Sequence, residues 1–349
     1  VPQLTGRTLC PLSPTTGQVF GLFWLLACIG LLVAAGLHLA QRESWAIWAL
    51  VSIGLSQLLI MLAWHDAKFG TLANLLIVVP ALSILAHAHF QREVVSEIRA
   101  LLSSVPQTAA APVQSEELER LPVPVQRWLE RAGVVGQPRA RTVRLKQQGG
   151  LRTSPDAAFM PAQAEQYFAL DDPAFIWRVD ATMFGFLPFA GRDSYADGRG
   201  HMLIKAASLL NVVDAHDERI AHGALLRLLG EMIWFPSTAL SPLLEWRAID
   251  AASAEVTLRH AGLVATATYL FDDQARVTGM HAQRYLGGGP DAKLTPWVAS
   301  CNAWSRMDGI EVPTAGTVSW ELPAGLFTYY RWTLVDLQFD RRGLYGEQP

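Results

Sequence analysis

The residues in this chain best suited to chemistry are carboxylates set among apolar side chains. Glu231 follows Leu228-Leu229-Gly230 and precedes Met232-Ile233-Trp234-Phe235. Its carboxylate is therefore expected against apolar surface, where burial raises a carboxyl pKa. Such a group can act as a general acid, as a polar anchor for a ligand, or as a buried acceptor bonded to backbone or to an arginine such as Arg284. One carboxylate without a placed partner is not a mechanism, so the structural role weighs most. Asp193, Tyr195 and Asp197 alternate with Ser194 and Ala196, which puts them on one strand face. There they can hold a head group or a cation, or line a solvated hairpin that ends at the Asp197-Gly198 turn. Glu231, Asp193, Tyr195, Arg284, Trp234, Phe235 and Phe186 form the candidate ligand-binding set, and no residue is assigned as catalytic.

Other chemistries find less support. His38, His87 and His89 fall at the ends of apolar runs, where imidazoles can ligate a metal or haem, but His87 and His89 do not share a helical face. Asp214-Ala215-His216-Asp217 lacks the further ligands of a closed metal site and reads as a loop. No metal and no cofactor is expected. There is no G-x-S-x-G elbow, and Cys301 has no histidine partner by spacing. Gly287-Gly288-Gly289-Pro290 lacks the Lys-Ser/Thr of a phosphate loop and reads as a turn. A net charge of -3 leaves no field for nucleic acid. The bases Arg127, Arg131, Arg139, Arg141, Arg144 and Lys146 either face anionic lipid or keep an exposed strand edge soluble. The aromatic stretch Phe184 to Phe189 and Trp234-Phe235 read as core packing, or as a ligand-lining or membrane-dipping surface.

The elements that must position these groups are of two kinds. The 349 residues are 51% hydrophobic and only 17% charged, against roughly a quarter charged in soluble domains. The excess sits in three uncharged runs, 19–40, 44–64 and 71–90, each long enough to cross about 30 Å of hydrocarbon as a helix. Gly30, Gly36, Gly54, Ser56 and Ser83 offer close helix approach, and Gln57 and Asn74 should seek partners between helices. Trp24, Trp45, Trp48 and Trp64 fall towards the ends of the runs, and Pro80 predicts a kink. Arg7 and Lys68 on one side against Arg42, Arg92 and Arg99 on the other is too even a split to orient the chain. The three cysteines, Cys10, Cys28 and Cys301, build no disulfide framework. The organisation expected is a three-helix membrane domain over 1–93, an amphipathic segment and linker over 94–118, and a β-rich domain over 119–349.

In that last part, strand spacing takes over beyond Gly136. Stretches 142–148, 163–170, 174–183, 191–197, 200–206, 254–260, 263–271, 277–286, 317–322 and 326–336 read as strands separated by Gly, Asp and Pro turns. Short helices are expected at Ser115-Glu119, Leu121-Leu129, Ala221-Met232 and Pro296-Trp304. So many strands in a row argue for a curved antiparallel sheet with one or two covering helices, an α+β fold. This half-barrel resembles that of periplasmic lipoprotein carriers. The leucine-rich helix is expected to lie across the hollow without plugging it, leaving an apolar trough.

Four blocks carry a further resemblance: Trp64-His65-Asp66-Ala67-Lys68-Phe69-Gly70-Thr71-Leu72-Ala73-Asn74, Leu121-Pro122-Val123-Pro124-Val125-Gln126-Arg127-Trp128-Leu129, Asp193-Ser194-Tyr195-Ala196-Asp197-Gly198-Arg199-Gly200 and Glu231-Met232-Ile233-Trp234-Phe235-Pro236. In these the chain resembles a bacterial membrane-anchored family of unknown function. The resemblance implies the plasma membrane and a further helix upstream of Val1, but no reaction. The expectation is a membrane-anchored module that binds a lipid-like or other hydrophobic ligand, with membrane lipids as partners. The alternatives are an accessory subunit of a larger respiratory or photosynthetic membrane complex, and an enzyme using Glu231.

Overall fold

In a computed structural model the residues described are 14–108 and 110–347; Arg7 and Cys10, weighed above, lie outside them. The chain divides between Phe90 and Gln91 into two compact units.

The first unit is helical: α1 (Pro14–Leu39), α2 (Trp45–Leu62), the single turn α3 (Trp64–Ala67) and the start of α4 (Gly70–Ser104). Three of its helices are long and apolar enough to cross a membrane. Leu22, Leu32, Val51, Leu62 and Leu76 point outward, as a lipid-solvated surface requires. Ala34, Ala46, Ala49, Ile53 and Ala81 pack inward. Close approach rests on Gly30, where a Cβ would lie 2.0 Å from the Ser52 Oγ. Gly36 and Gly54 have open space instead, so those two do not serve as contacts. Gln57 and Asn74 find partners between helices: the Asn74 amide donates to the Gln57 Oε1 at 3.0 Å and to the Ser56 Oγ at 3.2 Å, and the Gln57 amide donates to the Thr71 Oγ1 at 3.1 Å. α4 runs through Pro80, so the third apolar run and its amphipathic continuation form one helix of 35 residues.

The second unit holds the tail of α4, a 3₁₀ turn (Ser115–Arg120), α5 (Val123–Ala132) and thirteen strands. The first six are β1 (Thr142–Leu151), β2 (Met160–Ala169), β3 (Ala174–Met183), β4 (Leu187–Ala196), β5 (Arg199–Ala206) and β6 (Leu210–Ala215). After α6 (Glu218–Glu231) and 3₁₀ turns at Met232–Trp234 and Pro236–Leu240 come β7 (Leu244–Ala248), β8 (Ser253–His260), β9 (Leu263–Phe271) and β10 (Val277–Leu286). The last three are β11 (Lys293–Met307), β12 (Ile310–Leu322) and β13 (Gly325–Phe339).

All strands form one antiparallel sheet in the order β6-β5-β4-β3-β2-β1-β13-β12-β11-β10-β9-β8-β7. Two meanders, β1 to β6 and β7 to β13, therefore meet at the β1–β13 pair. Their outer ends, β6 and β7, are opposite edges of the sheet, and α6 is the connection between them. α6 touches β4 and β5 near one edge and β9 and β10 near the other. Strands β5 and β9 are nine steps apart, about 43 Å if the sheet were flat. A single helix of 14 residues can touch both only if the sheet curls around it.

Two expected elements are corrected, and two strands are added. Pro296–Trp304 is part of β11, paired with β10 and β12 on its two sides; register shifts between Cys301 and Trp304 break the period of two that marks a strand. β6 and β7 were not anticipated: each is short and lies at an edge, where one neighbouring strand leaves little pattern. Ser115–Arg120 is a 3₁₀ turn with Gln114, not Ser115, at its N-cap.

Replacing Gly30 by leucine is expected to force α1 from Ser52 and lower the stability of the detergent-solubilised chain by about 1–3 kcal/mol. Thermal unfolding of the variant and the parent checks this, and an unchanged midpoint would show that the contact is not needed.

Candidate functional site

The concave face of the sheet is occupied. Leu225, Leu226 and Leu229 of α6, with Met232 and Phe235 after it, are completely buried against Phe168, Phe175, Tyr195, Val256, Tyr269 and the rest of one continuous core. α5 contributes Val125, Trp128 and Leu129 to the same core. Cavities under α6 and under α5 hold about 10 Å³ each, about the room of a single water. The open trough expected from the sequence is therefore filled by the helix expected to cover it. The leucines of α6 face the curled sheet, and close packing leaves them no gap.

Within this core sits a charged cluster. The Arg227 Nε donates to the Glu231 Oε1 at 2.8 Å, one helical turn on, and its Nη1 donates to the Asp193 Oδ2 of β4 at 2.8 Å. The Gln166 amide of β2 donates to the Glu231 Oε2 at 2.7 Å. The guanidinium lies 4.7 Å from the Trp177 ring centre and 5.2 Å from that of Phe175. Burial pushes the Glu231 carboxyl up, against the opposing pull of Arg227. Burial alone would draw the Arg227 pKa down, but Glu231 and Asp193 outweigh it and hold it above its ordinary value. The partner of Glu231 is thus Arg227, not Arg284. Sequence reading missed Arg227, although its i,i+4 spacing to Glu231 was the available signal. Both Glu231 oxygens and the Asp193 Oδ2 are turned onto neighbours, so the arrangement ties α6 to β2 and β4.

Tyr195 takes part in a second bond between distant strands. Its hydroxyl lies 2.8 Å from the His260 Nδ1 at the end of β8, and the His260 Nε2 lies 2.7 Å from the Asp172 Oδ1. The hydroxyl pKa is raised, first by burial and then by Asp172 and Asp197. Beside it the β4–β5 turn abuts the β8–β9 turn, where a Cβ on Gly198 would come 2.8 Å from that of Ala261. Strands nine places apart in the sheet order therefore meet.

Free space lies where the sheet splits. β9 and β10 pair from Phe271/Val277 only as far as Ala267/Ala282. Beyond that, β9 continues with β8 alone and β10 with β11 alone. The gap is a cavity of about 620 Å³ lined by His222, Thr266, Gln283, Tyr285, Trp297 and Glu321 among others. His222 enters it from α6, packed edge-on against Tyr285. Its pKa is lowered, first by burial and further by the charge of Arg284, and its Nδ1 is buried without a partner. Arg284, one strand position from the lining residue Gln283, is stacked between Trp297 at 5.0 Å and Trp320 at 5.8 Å, and its Nε also has no partner.

The predicted set is therefore dispersed. Glu231 and Asp193 share the buried cluster, Tyr195 is in the strand-to-strand bond, and Arg284 lies beside the cavity. Trp234 donates to the Pro313 carbonyl inside the core, with Phe235 next to it. Phe186 is exposed at the β3–β4 turn with Phe184 and joins none of the others. Four of the six bases are ion-paired, Arg131 with Glu311, Arg139 with Glu117, Arg141 with Asp171 and Lys146 with Glu165, while Arg127 and Arg144 donate to backbone carbonyls. Nor is β1 an edge, since it lies at the middle of the sheet. The Cys301 thiol is pushed up to about 12 by burial, which leaves it protonated and unreactive. His87 and His89 fall inside α4 rather than at its end.

Residues 111–332 match a protein family described as a family of unknown function, DUF6544. The chain belongs to that family. The matched span holds three of the four sequence blocks quoted above and excludes the one at 64–74. No curated protein matches the chain. Among the solved structures that the chain is similar to, two are 9% identical to it. One, from Vibrio parahaemolyticus, is described as an outer membrane lipoprotein-sorting protein domain, with a TM-score of 0.33 over 67% of this chain and 96% of the other. The other is a DUF1329 family protein from Desulfovibrio piger, with a TM-score of 0.34 over 68% and 96%.

Two outcomes follow for the buried cluster. Arg227→Ala, which strands two carboxylates in the core, is expected to destabilise the fold by about 3–5 kcal/mol. Glu231→Gln keeps the shape without the charge and should fold. Because the folded pKa of Glu231 is raised, the native state holds that proton more tightly than the unfolded chain, so ionising Glu231 costs stability as pH rises through the folded value. The stability of Glu231→Gln relative to wild type should therefore improve as pH rises from the ordinary carboxylate range. Denaturant titrations at several pH values measure both effects, and a difference that does not change with pH would contradict the assignment.

Proposed function

We propose that this chain is a membrane-anchored, non-catalytic binding module of the bacterial plasma membrane, and that its ligand enters the split between β9 and β10. The ligand has an apolar body and one hydrogen-bonding head group, as a lipid-like molecule does. The observation that carries this reading is the cavity of about 620 Å³ with His222 in its wall. That volume is in the range of small-molecule sites, roughly 300–1,000 Å³. Val264, Leu294, Tyr285 and Trp297 supply apolar lining, and Gln283, Thr266 and Glu321 supply polar groups at a few points. The His222 Nδ1, buried behind that wall without a partner, costs about 1–3 kcal/mol, which a ligand hydroxyl or amide would relieve once the ring turns towards it. None of the three cavities described is lined by Arg227, Glu231 or Asp193, which weighs against the enzyme reading built on Glu231.

A second reading, an accessory subunit of a larger membrane complex, is favoured by the filled concavity: the β domain would brace other subunits as a solid body. Purification in gentle detergent separates the two, since a subunit co-migrates with its complex and a binding module does not need one.

The binding reading is tested by titrating the full chain in lipid nanodiscs with a fluorescent long-chain alcohol, using energy transfer from tryptophan. Saturable binding is expected. Thr266→Trp, at an exposed position facing the cavity, should abolish it. His222→Phe should weaken it roughly fivefold to tenfold, the worth of one hydrogen bond. Equal binding by wild type and Thr266→Trp would overturn the proposal.

A further inference from the structure

A second constellation lies on the other meander, away from the cavity lining. β5 and β6 pair with Met202 opposite Ala215 and Leu203 opposite Asp214. One step further along this register His201 comes opposite His216. Asp214 of β6 and His216, one residue past its end, lie two residues apart on one side, and His201 and Leu203 share the matching face of β5. The ladder thus gathers two imidazoles and a carboxylate on one side of the edge hairpin. The His201 Nε2 lies 2.8 Å from the Asp214 Oδ1, and the His216 Nδ1 lies 4.0 Å from the same oxygen. The three ligand atoms are all within 4.8 Å of one another. The two rings meet edge to face at 5.6 Å. The Asn211 amide donates to the other carboxylate oxygen, Asp214 Oδ2, at 3.1 Å and so orients the carboxylate as an outer-shell partner does.

We infer that His201, Asp214 and His216 bind a divalent transition-metal ion of the zinc class. Ligands at about 2.0–2.1 Å from a tetrahedral ion stand about 3.3 Å from one another, and the observed separations bracket that spacing. Side-chain rotation is enough to bring them to it, because His216 and Asp214 are exposed. Two imidazoles with one carboxylate select zinc, nickel or copper over magnesium or calcium, which prefer all-oxygen shells. The fourth position is left to water. The sequence run Asp214-Ala215-His216-Asp217 holds only two of the three ligands. Asp217 is the N-cap of α6, accepting from the Arg219 and Ile220 amides, and the third ligand comes from thirteen residues upstream across the strand pair.

The position gives the ion a role. β6 is the edge strand from which the chain turns into α6, and His216 immediately precedes the Asp217 cap. The other oxygen of Asp217 accepts from the Gly289 amide in the β10–β11 turn. An ion held by His201, Asp214 and His216 would pin β6 to β5 at the start of that crossover.

The test uses the full chain, without a histidine tag, in detergent. Dialysis against zinc alone, followed by metal analysis, should show about one ion per chain at this site and a raised thermal midpoint. His201→Ala and the double variant His201→Ala/His216→Ala should lose that ion while folding normally. Asp214→Asn should weaken it by more than the roughly 10–100-fold that loss of an outer-shell partner causes. Magnesium in place of zinc should give no shift in midpoint. The inference is overturned if wild type retains no zinc, or if the double variant retains as much as wild type. Neither result bears on ligand binding at the β9–β10 split, because none of the three residues lines it.

Discussion

The architecture depends on one connection. The two meanders are stitched together at their inner strands, β1 and β13, so their outer strands, β6 and β7, end at opposite margins of the sheet. A chain passing from β6 to β7 must cross the concave face, and α6 is that crossing. Its leucines remove the sheet's inner face from water, each contributing roughly 1.5–3 kcal/mol when fully buried. The curl of the sheet, the contact between turns at Gly198 and Ala261, and the filled interior are consequences of wrapping thirteen strands around one short helix.

A helix held only by leucines could slide or rotate, and the Arg227 cluster limits that freedom. A guanidinium with fixed donors engages Glu231 on its own helix, Asp193 on β4 and the Gln166 carbonyl on β2. Buried ion pairs bring little net stability, because desolvation consumes most of the attraction. They penalise every arrangement that leaves a charge unpaired. The cluster therefore specifies the seating of α6 more than it strengthens the fold. The same seating carries His222 into the split between β9 and β10, so the one substantial cavity described in this unit is placed by the crossover as well.

Much of this was legible in the residues. The strands 174–183, 263–271 and 277–286 have the bounds that alternation and turn residues indicate, since each is flanked by strands on both sides and its two faces differ in burial. The apolar helices follow from length and charge alone, and Asn74 with Gln57 announced a contact between helices because an amide in an apolar run needs a partner. Edge strands β6 and β7 left too little pattern, and the register shifts in β11 disguised a strand as a helix. Glu231 is a buried carboxylate held to an arginine, one of the roles its sequence setting leaves open, and the arginine is the one four residues earlier rather than Arg284. Phe186 was grouped with it on composition, and composition does not say which turn points outward.

What the sequence determined by itself is local: where the chain is apolar enough to leave water, where it alternates, where it turns, and which family it resembles. These follow from periodicities of a few residues, which side chains impose on their own backbone. Tertiary structure alone decided that the trough is filled, that β9 and β10 part beyond Ala267 and Ala282, and that His201 joins Asp214 and His216. Each of those depends on pairs brought together by strand order and register, and the energy that selects a register is spread over the whole sheet rather than carried by the residues that meet.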